Sequence, residues 1–136
     1  MRRRSFLSIL PSSLVAAGFL PARAHGATRA DPLHLHDCTI AGSHHYDCHA
    51  VLVHLRVGDS LALRREPANR HDARAVEVWW RRRKLGYLPR NDNAVAASLL
   101  DRGHALHAEV TGIDDPDEEW EPVRLRVWLD LRGDPT

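Results

Sequence analysis

The stretch Gly58-Asp59-Ser60-Leu61-Ala62-Leu63-Arg64-Arg65-Glu66-Pro67-Ala68-Asn69-Arg70-His71-Asp72-Ala73-Arg74-Ala75-Val76-Glu77-Val78-Trp79-Trp80 decides the fold. Gly58-Asp59 marks a turn, and Leu61 and Leu63 begin a strand. Pro67 to Asp72 is rich in turn formers and reads as a loop. Ala75 to Trp80 is β-branched and aromatic, a strand running into the basic turn Arg81–Lys84. Leu85 to Leu88 is a further short strand, stopped by Pro89, which cannot donate to a ladder. Short strands in such close succession point to a mainly β domain.

Working outward, Val51, Val53, Leu55 and Val57 alternate and predict another strand. Leu33 to Ile40 suits an edge strand, and Gly42 to Cys48 is a polar loop. Downstream, Asn91-Asp92-Asn93 offers capping side chains before Ala94, Val95, Leu99 and Leu100, and Gly103 offers a stop, which predicts a helix over 91–102. His104 to Ile113 reads as a strand and Asp114 to Glu119 as an acidic turn. Val123, Leu125, Val127, Leu129 and Leu131 alternate as a last strand. The expectation is a small closed or nearly closed β-barrel of six or seven strands with one or two short helices.

Composition agrees. The 136 residues allow one ordinary domain, and 43% apolar with 27% charged residues is globular composition. No repeat is visible, which excludes solenoids and propellers. Met1-Arg2-Arg3-Arg4, the mildly apolar run Phe6–Leu20 and Ala22-Arg23-Ala24 together read as an export signal over 1–24. Arg3-Arg4-Ser5-Phe6-Leu7 resembles the twin-arginine form, which predicts a periplasmic or secreted protein. Residues 25–32 read as a leader and 33–132 as the domain. Without residues 1–24 the chain carries 19 − 4 = 15 basic residues against 18 acidic ones, a balance of −3 that does not advertise general nucleic-acid binding. The charges are segregated. Arg64–Arg90 holds nine positive residues, whereas Glu109–Glu121 holds seven acids and no Lys or Arg.

Three ordered segments resemble the HIRAN domain: Ile40-Ala41-Gly42-Ser43-His44-His45-Tyr46; Gly58 to Leu61 continuing through Arg65 to Val76; and Lys84-Leu85-Gly86-Tyr87-Leu88-Pro89-Arg90. The resemblance implies an OB-like β-barrel that is a binding module rather than an enzyme. It would capture single-stranded DNA 3′ ends, a nucleotide or another small anionic ligand in a groove, bases stacking on flat side chains. It places the stacking turn on His44, His45 and Tyr46. It places the hydroxyl-binding carboxylate on Asp72, with His71 and Asn69 before it. Tyr87 and Arg90 follow, Arg90 as the phosphate contact, and Trp120 falls near a late aromatic. Imidazoles at 44 and 45 depart from the family's pattern, since they stack less well than phenols and change charge near neutrality. Asn69 and Asp72 also have a purely local reading, as caps of the loop between two strands. Glu66 has Arg64, Arg65 and Arg70 as candidate partners. Pro67 and Gly86 read as conformational, and Trp79, Trp80 and Trp128 as packing.

Six of the ten histidines fall between His34 and His54. His34 and His36 share a face of a regular strand, and with His44 and His49 they could hold zinc, which makes a periplasmic metal-binding protein the alternative function. The competing reading is solvent-facing histidines on an edge strand. Cys38 and Cys48, in an exported chain, are read as a disulfide bridging two adjacent strands, with a buried reduced pair as the alternative. No Gly-rich phosphate loop, nucleophile elbow or helical His-Glu-x-x-His is present, so the sequence offers no enzyme signature.

Overall fold

A computed structural model describes residues 30–131; the signal reading of 1–24 lies outside them. The six strands are β1 (Leu33–Thr39), β2 (Ser60–Arg65), β3 (Val76–Trp80), β4 (Arg83–Tyr87), β5 (Leu106–Ile113) and β6 (Val123–Leu129). They form one antiparallel sheet in the order β1-β6-β5-β2-β3-β4. The two outermost strands of that order meet. Just beyond β1, Ala41 N–H donates to the Tyr87 carbonyl at 2.8 Å, and Tyr87 N–H donates back to the Ala41 carbonyl at 3.0 Å. The sheet is open between β1 and β4 except for this one bridge, which makes it the small, nearly closed barrel that the strand pattern predicts.

Alternation fills the barrel. Leu61 and Leu63, Val76, Val78 and Trp80, Ala108 and Val110, and Val123, Leu125 and Val127 all turn inward and are buried together with Ile40, Leu85 and Leu88. Full burial of each large aliphatic contributes about 1.5–3 kcal/mol. Gly86 makes the closure possible. A Cβ there would run into the Ala41 carbonyl oxygen and lie 2.7 Å from Ile40 Cγ2, and its φ of +153° is one that L side chains rarely adopt.

Val51–Val57 is not a strand. Helix α1 (Cys48–Val51) and the turns after it occupy that stretch. Val51 and Leu55 are buried, while Val53 and Val57 are 72% and 66% exposed. Four apolar residues at period two contain the pair 51 and 55, which is also one helical turn apart, and Leu55 N–H does bond the Val51 carbonyl at 3.1 Å. The helix expected over 91–102 is α2 (Ala94–Asp101).

The disulfide reading falls with the same strand. Cys48 opens α1, which packs against β4, whereas Cys38 lies on β1 beside β6, and both are free thiols. Burial pushes the Cys38 thiol up to about 12 and the Cys48 thiol up to about 11. The shared face of His34 and His36 is lost to a bulge, because His34 pairs with Trp128 and His36 with the very next residue, Val127. His34 instead bonds Asp37 at 3.2 Å and tilts against Trp128. Among the described residues no three His, Cys, Asp or Glu side chains are grouped to hold a metal ion, and His34, His36, His44 and His49 are not gathered there. Also among the described residues, no helix is long and apolar enough to cross a membrane.

Two outcomes follow from this packing. Gly86→Ala should cost about 3 kcal/mol or more in urea unfolding, since collision and backbone strain combine. Gly103→Ala, at φ +83° with open space around it, should cost only about 1–2 kcal/mol. Equal costs would count against the closure. In oxidised glutathione the folded protein should keep the mass of two free thiols; loss of two hydrogen masses would restore the bridge.

Candidate functional site

The loop between β2 and β3 is organised by its own side chains. Glu66 N–H bonds the Ala75 carbonyl at 3.1 Å and closes the loop's neck. Asn69 Oδ1 accepts from the backbone N–H groups of His71 (2.9 Å) and Asp72 (3.0 Å), while its Nδ2 donates to Glu66 Oε2 at 2.8 Å. Asn69 is thus the loop cap that its residue type allows. Asp72 Oδ1 accepts from Arg74 N–H at 2.9 Å. Its Oδ2 accepts at 2.7 Å from Asn93, a fully buried amide at the start of α2. Asn93 makes no side-chain cap; its amide holds the carboxylate instead. Arg90 reaches across, donating to the His71 carbonyl at 2.6 Å with its Nε 4.0 Å from Asp72 Oδ2. The Arg74 N–H above all, then Asn93 and the nearby Arg90 and Arg74 charges, hold the Asp72 carboxyl below the usual carboxylate range.

The facing wall comes from β4, where a bulge re-aims the side chains. Tyr87 pairs with Glu77 and Gly86 with Val78, but Lys84 pairs with the next residue, Trp79. Lys84 and Tyr87, three apart, would face opposite sides of a regular strand. The extra residue brings both to the outer face. Lys84 Nζ there donates to Tyr87 Oη at 2.6 Å and to Glu77 Oε1 at 2.9 Å, and it lies 4.2 Å and 4.6 Å from the ring centres of Tyr87 and Tyr46. Tyr87 Oη donates to Glu66 Oε2 at 2.6 Å. Glu66 therefore pairs with Tyr87 and Asn69 rather than with Arg64, Arg65 or Arg70. Arg65 is held by Asp101 and by the Ala73 and Ala75 carbonyls.

This network sets the charges. Burial, then the bond to Glu66, pushes the Tyr87 phenol up to about 12. Tyr87 above all, then Asn69, keeps the Glu66 carboxyl below its ordinary value. Burial alone would pull the Lys84 ammonium down, but its bonds to Tyr87 and Glu77 outweigh that and raise it. Tyr87 is locked as a neutral donor between an anion and a cation.

Between loop and wall lies an open pocket of about 420 Å³. Seven of the eight residues that the sequence proposes for ligand contact line it: His45, Tyr46, Asn69, His71, Asp72, Tyr87 and Arg90. The backbone of Ala41 and Gly42, where the barrel closes, forms its floor. His44 does not line it. Its ring is packed 3.8 Å from His45 and 4.2 Å from Trp120, which is 70% exposed on the rim. Sequence reasoning missed Lys84, Glu66 and Asn93 as parts of this site. Lys84 is hidden by a bulge that leaves no sequence signal, and Asn93 by a local reading as a cap. The arrangement offers a fixed carboxylate acceptor, a guanidinium 4.0 Å from it, and aromatic side chains lining the same pocket.

The comparisons fit this geometry. A family model described as the HIRAN domain matches residues 33–132. The chain is 34% identical to a protein of known structure from Lactobacillus plantarum, with a TM-score of 0.65 over 73% of this chain and 95% of that one. It shares the fold of the HIRAN domain of human HLTF, with 17% identity and a TM-score of 0.55 over 72% of this chain and 78% of that one. It is also 35% identical over 80 residues to a Fanconi-associated nuclease 1 homolog from Oryza sativa subsp. japonica, spanning 54% of this chain and only 8% of that protein. With the family model covering almost every described residue, the chain belongs to the HIRAN domain family.

Proposed function

We propose that the pocket is a non-enzymatic binding site for the 3′-hydroxyl end of single-stranded nucleic acid. The observation that carries this reading is convergence: three separated stretches of sequence deliver Tyr46, Asp72, Tyr87 and Arg90 to one concave spot. Family membership supports it, since HIRAN domains bind DNA. Asp72, held ionised, is an acceptor for a terminal hydroxyl and repels a terminal phosphate. Arg90 supplies the positive partner for the phosphodiester one step back. Tyr46, His45 and Tyr87 give flat or edge-on surfaces for unstacked bases. Asn69 spends its polar atoms on the loop, so its role is to shape the site. The signal-like residues 1–24 extend the proposal to a periplasmic or secreted protein exported by the twin-arginine route.

Fluorescence anisotropy with single strands ending in 3′-hydroxyl or 3′-phosphate tests the reading. The hydroxyl end should bind at least tenfold tighter, and Asp72→Asn should erase that preference, losing about 10-fold or more in affinity as a charge-assisted bond does. Equal, weak binding of both ends that vanishes in moderate salt would reduce the site to nonspecific electrostatics. The Asp72 contribution to hydroxyl-end binding should hold as pH falls from 7 to about 5, because the Asp72 carboxyl sits below its ordinary 3.8, and it should fade only below that ordinary value. Arg90→Gln should weaken both ends alike and lower the salt slope by about one.

A further inference from the structure

The outer face of β2, β3 and β4 continues the pocket wall. The bulge that turns Tyr87 and Lys84 outward also sets them beside Glu77 and Trp79 of β3, with Arg64 of β2 next to Glu77. Trp79, half-buried, is fixed by its Nε1–H to Glu77 Oε2 at 2.9 Å, and Glu77 in turn holds Lys84. The Arg64 guanidinium lies 4.7 Å from the centre of the Trp79 ring. Trp79 stands two residues along β3 from Glu77, the cross-strand partner of Tyr87, a step of about 6.7 Å. A pinned indole under an exposed guanidinium, one step from a pocket wall, combines a stacking surface with a phosphate contact.

The two rims of the pocket differ in sign. On the side of the 3-10 turn Ser43–His45, His44 packs against Trp120 at the end of the loop holding Asp115, Asp117, Glu118 and Glu119, all exposed. On the side of β2, next to Glu77, the partner of Tyr87, stands the exposed Arg64, which among the described residues has no carboxylate partner. A polyanion leaving the pocket is repelled by the first rim and drawn to the second.

We propose that this face is a second nucleotide subsite, in which Trp79 stacks a base next to the nucleotides in the pocket and Arg64 moves from the indole to the adjoining phosphate. The proposal rests on the nucleic-acid reading of the pocket. It assigns Trp79 a binding role in place of the packing role that its position in a strand predicts.

The experiment compares 3′-hydroxyl thymidine dinucleotide and hexanucleotide by anisotropy on the wild-type protein and on Trp79→Ala, Trp79→Phe and Arg64→Gln. The hexanucleotide should bind the wild type about tenfold tighter than the dinucleotide. Trp79→Ala should remove that gain and leave the dinucleotide unchanged. Trp79→Phe should keep part of it. Arg64→Gln should lower the salt slope by about one for the hexanucleotide only. No length gain in the wild type, or a Trp79→Ala loss equal for both lengths, or no loss for either, overturns the subsite. The two readings separate cleanly. Dinucleotide binding without a length gain sinks the subsite and leaves the pocket; a hexanucleotide that needs Trp79 while the dinucleotide does not bind sinks the pocket and with it the subsite as an extension of that pocket; failure of both lengths overturns both.

Discussion

The reciprocal pair of backbone hydrogen bonds between Ala41 and Tyr87 is the constraint on which the rest depends. It joins the chain after β1 to β4, the two ends of the sheet order, and so turns a ribbon of six strands into a barrel. It also fixes the pocket floor, because the segment that makes the bond continues directly into Gly42 and the turn bearing His45 and Tyr46. Closure needs an approach so tight that no side chain can stand at position 86, and this residue is a glycine. Core packing supplies the bulk of the stability; the closure decides where the concave spot lies.

Around that floor the polar groups are organised before any ligand arrives. Asp72 takes bonds from Arg74 and Asn93, Tyr87 is held between Glu66 and Lys84, and Asn69 is committed at both ends. A site built this way loses little side-chain freedom on binding. The exceptions are His44, His45 and Trp120, which are exposed and meet through their rings, while the exposed Tyr46 stands edge-on to Tyr87 at 5.6 Å. The carboxylate end is rigid and the base end adaptable.

Much of this was legible in the residues. Alternation locates β1, β2, β3, β5 and β6, and Pro89 and Gly103 mark where β4 and α2 give way. The Asn-Arg-His-Asp loop and the Tyr-Leu-Pro-Arg segment point to the pocket. What failed did so for definable reasons. Val51 and Leu55 satisfy the strand and helix periods at once, and burial against β4 chose the helix. Once that strand was gone, Cys48 had no reason to lie beside Cys38. His34 and His36 read as neighbours on one face until a single extra residue in β1 separated them. Bulges are set by pairing between distant segments, so nothing local announces them.

The bulge in β4 has an evolutionary consequence. The tip of the β3–β4 hairpin, with Arg81 at φ +54°, projects away from the pocket, and its length can drift among relatives at little cost. The interval from Lys84 to Tyr87 has no such freedom. Adding or deleting one residue there would transpose the ammonium to the interior and swing the phenol off Glu66. Sequences that diverge everywhere else in this hairpin should keep that four-residue count, whatever chemistry they place at its ends.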